Sequence, residues 1–241
     1  MNPGEAGASP PRLVTFDFYT ALVDYEGSLT PAMRTVCDSD ADATALTRAW
    51  RARQLEWAQL SNSLQRARIP FRECTRRALA YTLARAGRTL ADAESARLVA
   101  AWDDLAPWPE AQATLAQIKA RGYAIGVLSN GDEAMLRAGL RGFDVTFDHV
   151  FASDRAGVYK PHPALYALPQ RTLGCMATDV FHVAGSGIDA MGAKLAGLRC
   201  AWSNRNGEPA ISPDTPPDYE MRNLAGLLGV LPGAATTPAP S

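Results

Sequence analysis

Leu13-Val14-Thr15-Phe16-Asp17-Phe18-Tyr19-Thr20-Ala21-Leu22 is the stretch on which the fold turns. A short β-prone run that stops at an acid, followed by small residues and a turn, reads as a buried strand with one carboxylate at its carboxyl end. Open α/β sheets carry their chemistry at that end. Asp17 is therefore the first candidate nucleophile, the competing reading being an acid that merely caps the next turn.

Downstream, from about residue 107, the pattern alternates between two periods. Residues 110–120 suit a helix that Gly122 stops, and 123–128 suit a strand running into Ser129, Asn130 and Gly131. Residues 147–152 form a further predicted strand, followed by a loop reaching Lys160 and Pro161, and 163–173 read as helix. Residues 180–184 are strand-like and end in Gly185, Ser186 and Gly187; 189–196 are helical, and 199–202 are the last predicted strand. This alternation predicts an α/β fold with a doubly wound parallel sheet, whose right-handed crossovers bring the strand ends to one side. Asp17, Ser129, Asn130, Lys160, Ser186 and Asp189 then converge.

Residues 25–106 break the alternation and favour helix almost throughout. Within 43–60, Leu46, Trp50, Trp57 and Leu60 fall on one face, which reads as core, and Arg51, Leu55 and Ala58 share another. Arg51 beside Leu55 sets a cation on an otherwise apolar surface. Residues 1–11 and 232–241, rich in Pro, Ala, Gly, Ser and Thr, read as flexible termini.

At 241 residues, 47% of them hydrophobic, the chain has room for one α/β domain and a smaller module. A net charge of -1 with scattered basic residues gives no electrostatic reason to expect a nucleic acid partner. The absence of a long uncharged apolar run, and a start without a basic n-region or apolar h-region, lead us to expect a cytoplasmic protein with no membrane partner. Cys37, Cys74, Cys175 and Cys200 lie far apart without a C-x-x-C pair and read as reduced packing residues. His149, His162 and His182 show no metal-ligand spacing and read as ordinary loop or strand residues. Nothing suggests a cofactor.

A carboxylate beside a lysine, a hydroxyl, an amide and glycine-rich backbone N–H groups is arranged for nucleophilic attack more than for proton transfer. Lys160 would favour the charged form of Asp17 by opposite charge.

The order and spacing of these groups resemble the haloacid dehalogenase superfamily. Asp17 stands at its first motif, Ser129 at its second, Lys160 at its third and Asp189, in Gly185-Ser186-Gly187-Ile188-Asp189, at its fourth. The resemblance implies a Rossmann-like core of residues 12–24 and 107–231 with a helical cap, 25–106, inserted after the first motif. Phosphatase members carry a second acid two positions after the nucleophile, and Tyr19 stands there instead. Ser186 likewise replaces an acid of the metal-dependent phosphatases. Phosphomonoester hydrolysis is thus not expected, and a magnesium site is expected to be weak or absent.

The 2-haloacid dehalogenase branch is similar in finer detail. It shares Asp17-Phe18-Tyr19, the run Trp50-Arg51-Ala52-Arg53-Gln54-Leu55-Glu56-Trp57, Ser129-Asn130-Gly131, Val158-Tyr159-Lys160-Pro161 and Tyr166. In such enzymes the aspartate attacks C2 of a short carboxylic acid, displaces the leaving group with inversion and forms an ester that water cleaves. By resemblance, Arg51 and Asn130 surround the leaving group or substrate, and Ser129 with backbone N–H groups grips the substrate carboxylate. Tyr19, Leu55 and Trp57 are its walls, Tyr166 matches the family tyrosine, and Asp189 fixes Lys160 by an ion pair. A homodimer is common among such relatives.

The departures from that branch gather near the site. Thr20-Ala21 stands where the branch has Gly-Thr, so a hydroxyl expected on the nucleophile is missing or displaced by one position. Its Ser-Ser-Asn-x-Trp-Asp becomes Ala184, Gly185, Ser186, Gly187, Ile188 and Asp189, which changes groups that position Asp17 and the hydrolytic water, and a wall. Three readings follow: an (S)-2-haloacid dehalogenase, an azetidine-2-carboxylate hydrolase that opens a C–N bond at the same carbon, or a catalytically lapsed binding protein.

Overall fold

The computed structural model describes residues 11–64 and 67–231. β1 (Leu13–Phe16) is buried along its whole length because it lies third in a six-stranded sheet. The other strands are β2 (Ala124–Ser129), β3 (His149–Ala152), β4 (Val180–Ala184), β5 (Arg199–Ser203) and β6 (Tyr219–Met221), in the order β3-β2-β1-β4-β5-β6, with every neighbouring pair parallel. This is the expected α/β, Rossmann-like doubly wound sheet. From β1 the sheet grows outward through β2 and β3, and the chain then crosses to β4 on the other side. The crevice of such a fold lies at this switch point, beyond the strand ends. Register sets Phe16 beside Val127 and Val183, so Asp17 emerges one residue past them, at the crevice.

The pleat divides β1 between two cores. Val14 and Phe16 enter a large cluster with Ile125, Val127 and Val183, while Leu13 enters a second with Leu128, Ala184, Cys200 and Trp202. Thr15 and Asp17 are in phase with Leu13. Around the sheet lie α5 (Ala111–Ala120), α6 (Glu133–Leu140), α7 (Ser153–Ala156), α8 (Pro163–Tyr166), α9 (Leu168–Leu173), α10 (Gly187–Leu195) and α11 (Leu227–Val230).

Between β1 and β2 the chain forms α1 (Tyr25–Arg34), α2 (Asp40–Ser63), α3 (Phe71–Arg85) and α4 (Asp92–Ala100). Ser39 caps α2 by accepting from Asp42 N, and Asp40 and Asp42 place negative charge in its first turn. The inner face of α2 differs from the expected stripe. It carries Ala43, Leu46, Thr47, Trp50, Arg51, Gln54, Ala58 and Ser61, while Leu60 is exposed and Trp57 half-buried. Polar groups can lie inward because α3 supplies partners: Gln54 Nε2 donates to Thr75 Oγ1 (2.6 Å) and Trp50 Nε1 to Thr75 O (2.8 Å). Five contacts hold the α2–α3 corner onto the sheet's loops. Asp132, just after β2, accepts from Phe71 N (3.0 Å) and Arg72 N (3.1 Å) at the start of α3, and it pairs with Arg68. Asn62 brackets Tyr159, donating to its carbonyl and accepting from its N–H, both at 2.9 Å.

Other elements depart from the sequence reading. The single helix expected over 163–173 is two, because Pro169 opens a new first turn, and the loop toward Lys160 contains α7. β6 is not expected from the sequence: its three residues follow a long Pro-containing loop and are too few for their alternation to stand out. The expected flexible termini lie outside the described residues except for Pro11, which is buried. Among the described residues no helix is long and apolar enough to cross a membrane, and the four cysteines are free.

Candidate active site

Asp17 is fixed from three sides. Its backbone N–H donates to Val183 O (2.9 Å), which extends the β1–β4 ladder by one residue and sets where the side chain leaves the sheet. The chain then enters a single wide helical turn, Phe18–Leu22, which Asp17 itself caps: Oδ2 accepts from Thr20 N (3.0 Å) and Thr20 Oγ1 (2.8 Å). Oδ1 accepts from Ser129 Oγ (3.0 Å), at the end of β2, and from Lys160 Nζ (3.3 Å). Each oxygen thus has two donors. In a site only 7% exposed, that set holds the carboxylate in one orientation.

Lys160 owes its position to Asn130 and Asp189. Asn130 Oδ1 accepts from Lys160 N (2.7 Å), and the ammonium lies 2.9 Å from the Asp189 carboxylate. Asp189 sits in the first turn of α10, where Ser186 caps the helix by accepting from Asp189 N (3.3 Å), and Tyr166 OH donates to Asp189 Oδ1 (2.9 Å). Burial works to raise the Asp189 carboxyl, and Lys160 with His182 outweighs it, holding the group below the ordinary carboxylate range. His182, on β4 and fully buried, places Nε2 at 3.1 and 3.3 Å from the two Asp189 oxygens and 3.4 Å from Lys160 Nζ. Its Nδ1 lies 3.0 Å from Thr15 Oγ1. Burial lowers the His182 ring below its usual value, with Asp189 opposing and Lys160 assisting, so the ring is neutral at pH 7.

Opposite the sheet, Arg51 of α2 is buried with no carboxylate in salt-bridge contact among the described residues. Its guanidinium lies 5.0 Å from the Tyr19 ring centroid and 5.5 Å from those of Tyr25 and Trp102, while Nη1 donates to Gln54 Oε1. Arg51 Nε and Tyr19 OH are buried without hydrogen-bond partners among the described residues. Desolvation lowers the Arg51 value and pushes the Tyr19 phenol well above its ordinary range, so the phenol stays neutral. Gly131 is required here, since a Cβ at that position would lie 2.7 Å from Tyr19 OH. A cleft of about 1080 Å³ opens beside these groups, with Thr20, Arg51, Leu55, Ser186 and Trp202 among its walls.

The structure therefore brings together Asp17, Ser129, Asn130, Lys160, Tyr166, Ser186 and Asp189, with Arg51 and Leu55 on the helical side and Tyr19, on the turn after β1, under Arg51. Several expectations need correction. Trp57 packs under Arg77 of α3, 5.1 Å from guanidinium to ring centroid, and is not a wall of the cleft, because on α2 it lies about half a turn away from Arg51 and Leu55. Ile188 is 40% exposed, on the outward side of α10, and is not a wall either. Tyr166 stands behind Asp189 and meets its carboxylate in place of substrate. The Ser129 hydroxyl is spent on Asp17, and the Asn130 carbonyl oxygen on the Lys160 backbone. The carboxylates Glu56 and Asp24 are engaged elsewhere: Glu56 pairs with Arg53, and Asp24 caps Gly27 N.

A paired nucleophilic carboxylate at the switch point of this sheet, with a helical segment following its first strand, calls for comparison with known proteins. Residues 11–197 match the family model of the haloacid dehalogenase-like hydrolases. The chain belongs to this family. Among curated relatives of these hydrolases, (S)-2-haloacid dehalogenase 4A of Burkholderia cepacia is 31% identical over 91% of this chain and 94% of its own length. The (S)-2-haloacid dehalogenase of Pseudomonas sp. (strain YL) is 30% identical over 92% and 95%. Among solved structures, the L-2-haloacid dehalogenase of Xanthobacter autotrophicus with chloropropionic acid covalently bound superposes with a TM-score of 0.83, at 30% identity, over 93% of this chain and all of that one.

Within this family fold, sequence reasoning missed Thr15, His182 and Trp102. The hydroxyl expected on the nucleophile is displaced by one position, to Thr20. His182 was dismissed for lack of ligand spacing, although a signal existed. It lies two residues before the strand end, in phase with Ala184, and its register partner Thr15 is in phase with Asp17.

Proposed function

We propose that the protein is an (S)-2-haloacid dehalogenase. Asp17 attacks C2 of a short 2-haloacid, the halide leaves with its bonding pair, C2 inverts, and an aspartyl ester forms. Water then adds at the aspartyl carbonyl, which releases a 2-hydroxy acid and restores Asp17. One observation carries this reading: a carboxylate held by two donors on each oxygen stands beside a buried arginine that has aromatic walls and no anion of its own. A desolvated, aligned carboxylate gains from proximity by up to about 7–11 kcal/mol in favourable cases. The vacant charge of Arg51 is suited to a departing halide. Tyr19 and Leu55 serve as walls, Asn130 and backbone N–H groups after Ser129 face the substrate, and Lys160 with Asp189 keeps Asp17 aimed. The names of the relatives support the substrate class.

Azetidine-2-carboxylate fits less well, because its cationic ring nitrogen would enter a chamber that already holds the Arg51 guanidinium. The complete Asp17–Ser129–Lys160–Asp189 set speaks against a lapsed protein. Lys160 supplies positive charge between the two carboxylates, so no step runs through a metal. Residues 25–106 act as a cap over the core. Cytoplasmic location and a homodimer complete the proposal, the latter testable by sedimentation.

The test is chloride release from (S)-2-chloropropionate without added magnesium, with one turnover in oxygen-18 water followed by peptide mass analysis. Release with label in Asp17, abolished in Asp17→Asn, is expected. An unlabelled Asp17 would mean that water attacks the substrate directly, and turnover of azetidine-2-carboxylate alone would move the assignment to C–N cleavage.

A further inference from the structure

Thr15, His182, Asp189 and Lys160 form a continuous buried chain that ends on the nucleophile. Thr15 Oγ1 is 3.0 Å from His182 Nδ1, His182 Nε2 is 3.1 Å from Asp189 Oδ2, Asp189 is 2.9 Å from Lys160 Nζ, and Nζ is 3.3 Å from Asp17 Oδ1. All five residues are nine-tenths or more buried. We propose that His182 is a positioning residue for dehalogenation, a neutral Nε2–H donor that anchors Asp189 so that Lys160 stays on Asp17. The proposal rests on the dehalogenase reading for its kinetic consequence and on the free protein for its hydrogen-bond state.

The tautomer follows from the surroundings. Nε2 faces both Asp189 oxygens and, at a longer 3.4 Å, the Lys160 ammonium. An unprotonated Nε2 would set its lone pair against a buried carboxylate, whereas a protonated one donates to it. Nδ1 is then the acceptor, and the Thr15 hydroxyl donates to it. The remaining neighbours fit a neutral ring: the Tyr166 ring packs edge-on from α8 at 6.0 Å, and Cys200 is the register partner on β5. His182 therefore fixes Asp189 from the sheet, Tyr166 fixes it from α8, and Ser186 holds its backbone. With the sheet-side donor gone, Asp189 has only Lys160 and Tyr166 to satisfy a buried charge. It then draws Nζ away from Asp17 Oδ1, the longer of the two ammonium contacts.

His182 is fully buried in the sheet behind Asp189, so the effect should fall on kcat and spare KM. His182→Leu removes the donor, while His182→Gln keeps an N–H at about the reach of Nε2. Losing a hydrogen bond to a charged group costs about tenfold to a hundredfold in kcat on (S)-2-chloropropionate. We expect that loss for His182→Leu with KM within about twofold, and recovery to within about threefold of wild type for His182→Gln. Nitrogen-15 NMR of the free wild-type protein should show a single Nε2–H tautomer, and Thr15→Val, which removes the partner of Nδ1, should disturb it. Wild-type kcat in His182→Leu, equal losses in the Leu and Gln variants, or an Nδ1–H tautomer would each overturn the proposal. Should His182→Leu fail to fold, Thr15→Val with wild-type kcat and an unchanged tautomer overturns it. A wild-type protein that releases no halide but shows the Nε2–H tautomer refutes the substrate reading and leaves the hydrogen-bond chain standing.

Discussion

Replacing Gly185 by alanine should disarm the nucleophile without replacing any group that bonds to it. A Cβ at position 185 would lie 2.1 Å from Thr20 Oγ1, 2.5 Å from Ala21 N and 2.7 Å from Thr20 C. Two of these are backbone atoms, so rotation of a side chain cannot relieve the overlap. To reach the 3.0 Å at which real contacts begin, the Cβ must part from Thr20 Oγ1 by about 0.9 Å and from the backbone atoms Ala21 N and Thr20 C by about 0.5 and 0.3 Å, so residue 20 must shift as a whole. That backbone carries Thr20 N and Thr20 Oγ1, both donors on Asp17 Oδ2 at 3.0 and 2.8 Å. A shift of that size breaks at least one of them. A hydrogen bond to a charged group is worth about 1.5–3 kcal/mol, and a misplacement of about 1 Å at a reacting centre costs about a hundredfold in rate. We expect kcat/KM of Gly185→Ala on (S)-2-chloropropionate to fall by about 30- to 300-fold, read as chloride release, in protein that retains its far-ultraviolet circular dichroism. Activity within threefold of wild type in a folded variant would refute the reasoning. It would mean that Thr20 contributes nothing to the aim of Asp17.

Three further outcomes follow from the same geometry. Arg51→Met should leave the melting temperature unchanged or raise it, since a buried cation without an anion is replaced by an apolar chain, yet lower kcat by about 100- to 1000-fold; a stability loss with intact turnover would contradict both halves. Tyr19→Phe removes a buried hydroxyl that has no partner, so stability should rise by up to about 1 kcal/mol with kcat within threefold, and a large fall in kcat would show that the phenol meets the substrate. His182 and Asp189 both lie below their ordinary values of 6.5 and 3.8 in the folded state, so the unfolded chain binds more protons in each window. Their stabilising contributions are complete above those values and are lost as pH falls below 6.5 and then below 3.8. Melting temperature should therefore decline from about pH 6.5 downward, and His182→Gln should remove the first part of that decline.

The sheet was readable because its signals are local. The runs ending at Asp17, Ser129 and Ala184 are apolar, short and followed by small residues, and the structure places five of the six strands where they predict, within two residues at each end. β6 escaped because it has only three residues, pairing only along Ala201–Ser203, too short a run for its alternation to be read. The core acids and Lys160 were legible for the same reason, since strand ends converge in a parallel sheet. The helical side was read less well. A stripe drawn from hydrophobicity alone put Trp57 and Leu60 inward, whereas α2 buries Arg51 and Gln54 because Thr75 on α3 and the aromatic rings around Arg51 satisfy them. Which polar residues find partners depends on a second helix, and no single segment contains that information.

The departures from the dehalogenase pattern, read singly, look like losses, and the geometry shows them to be coupled. The branch's hydroxyl at position 21 is absent, but Thr20 delivers both an N–H and an O–H to Asp17 Oδ2. Thr20 can do so only because position 185 has no side chain, the space a serine would occupy being filled by Thr20 itself. Ala184, in turn, is fully buried in the apolar cluster beneath Leu128 and Trp202, where an unpaired hydroxyl would cost free energy. The donor that secures the fourth motif comes from one strand position deeper, at His182. Asp17 thus keeps two donors on each oxygen although the letters around it have moved. Restoring the branch's serine at 185 alone should harm the enzyme, since its Cβ would meet the same backbone at 2.5 and 2.7 Å. The donors around one carboxylate thus act as a set, and its members are legible only together.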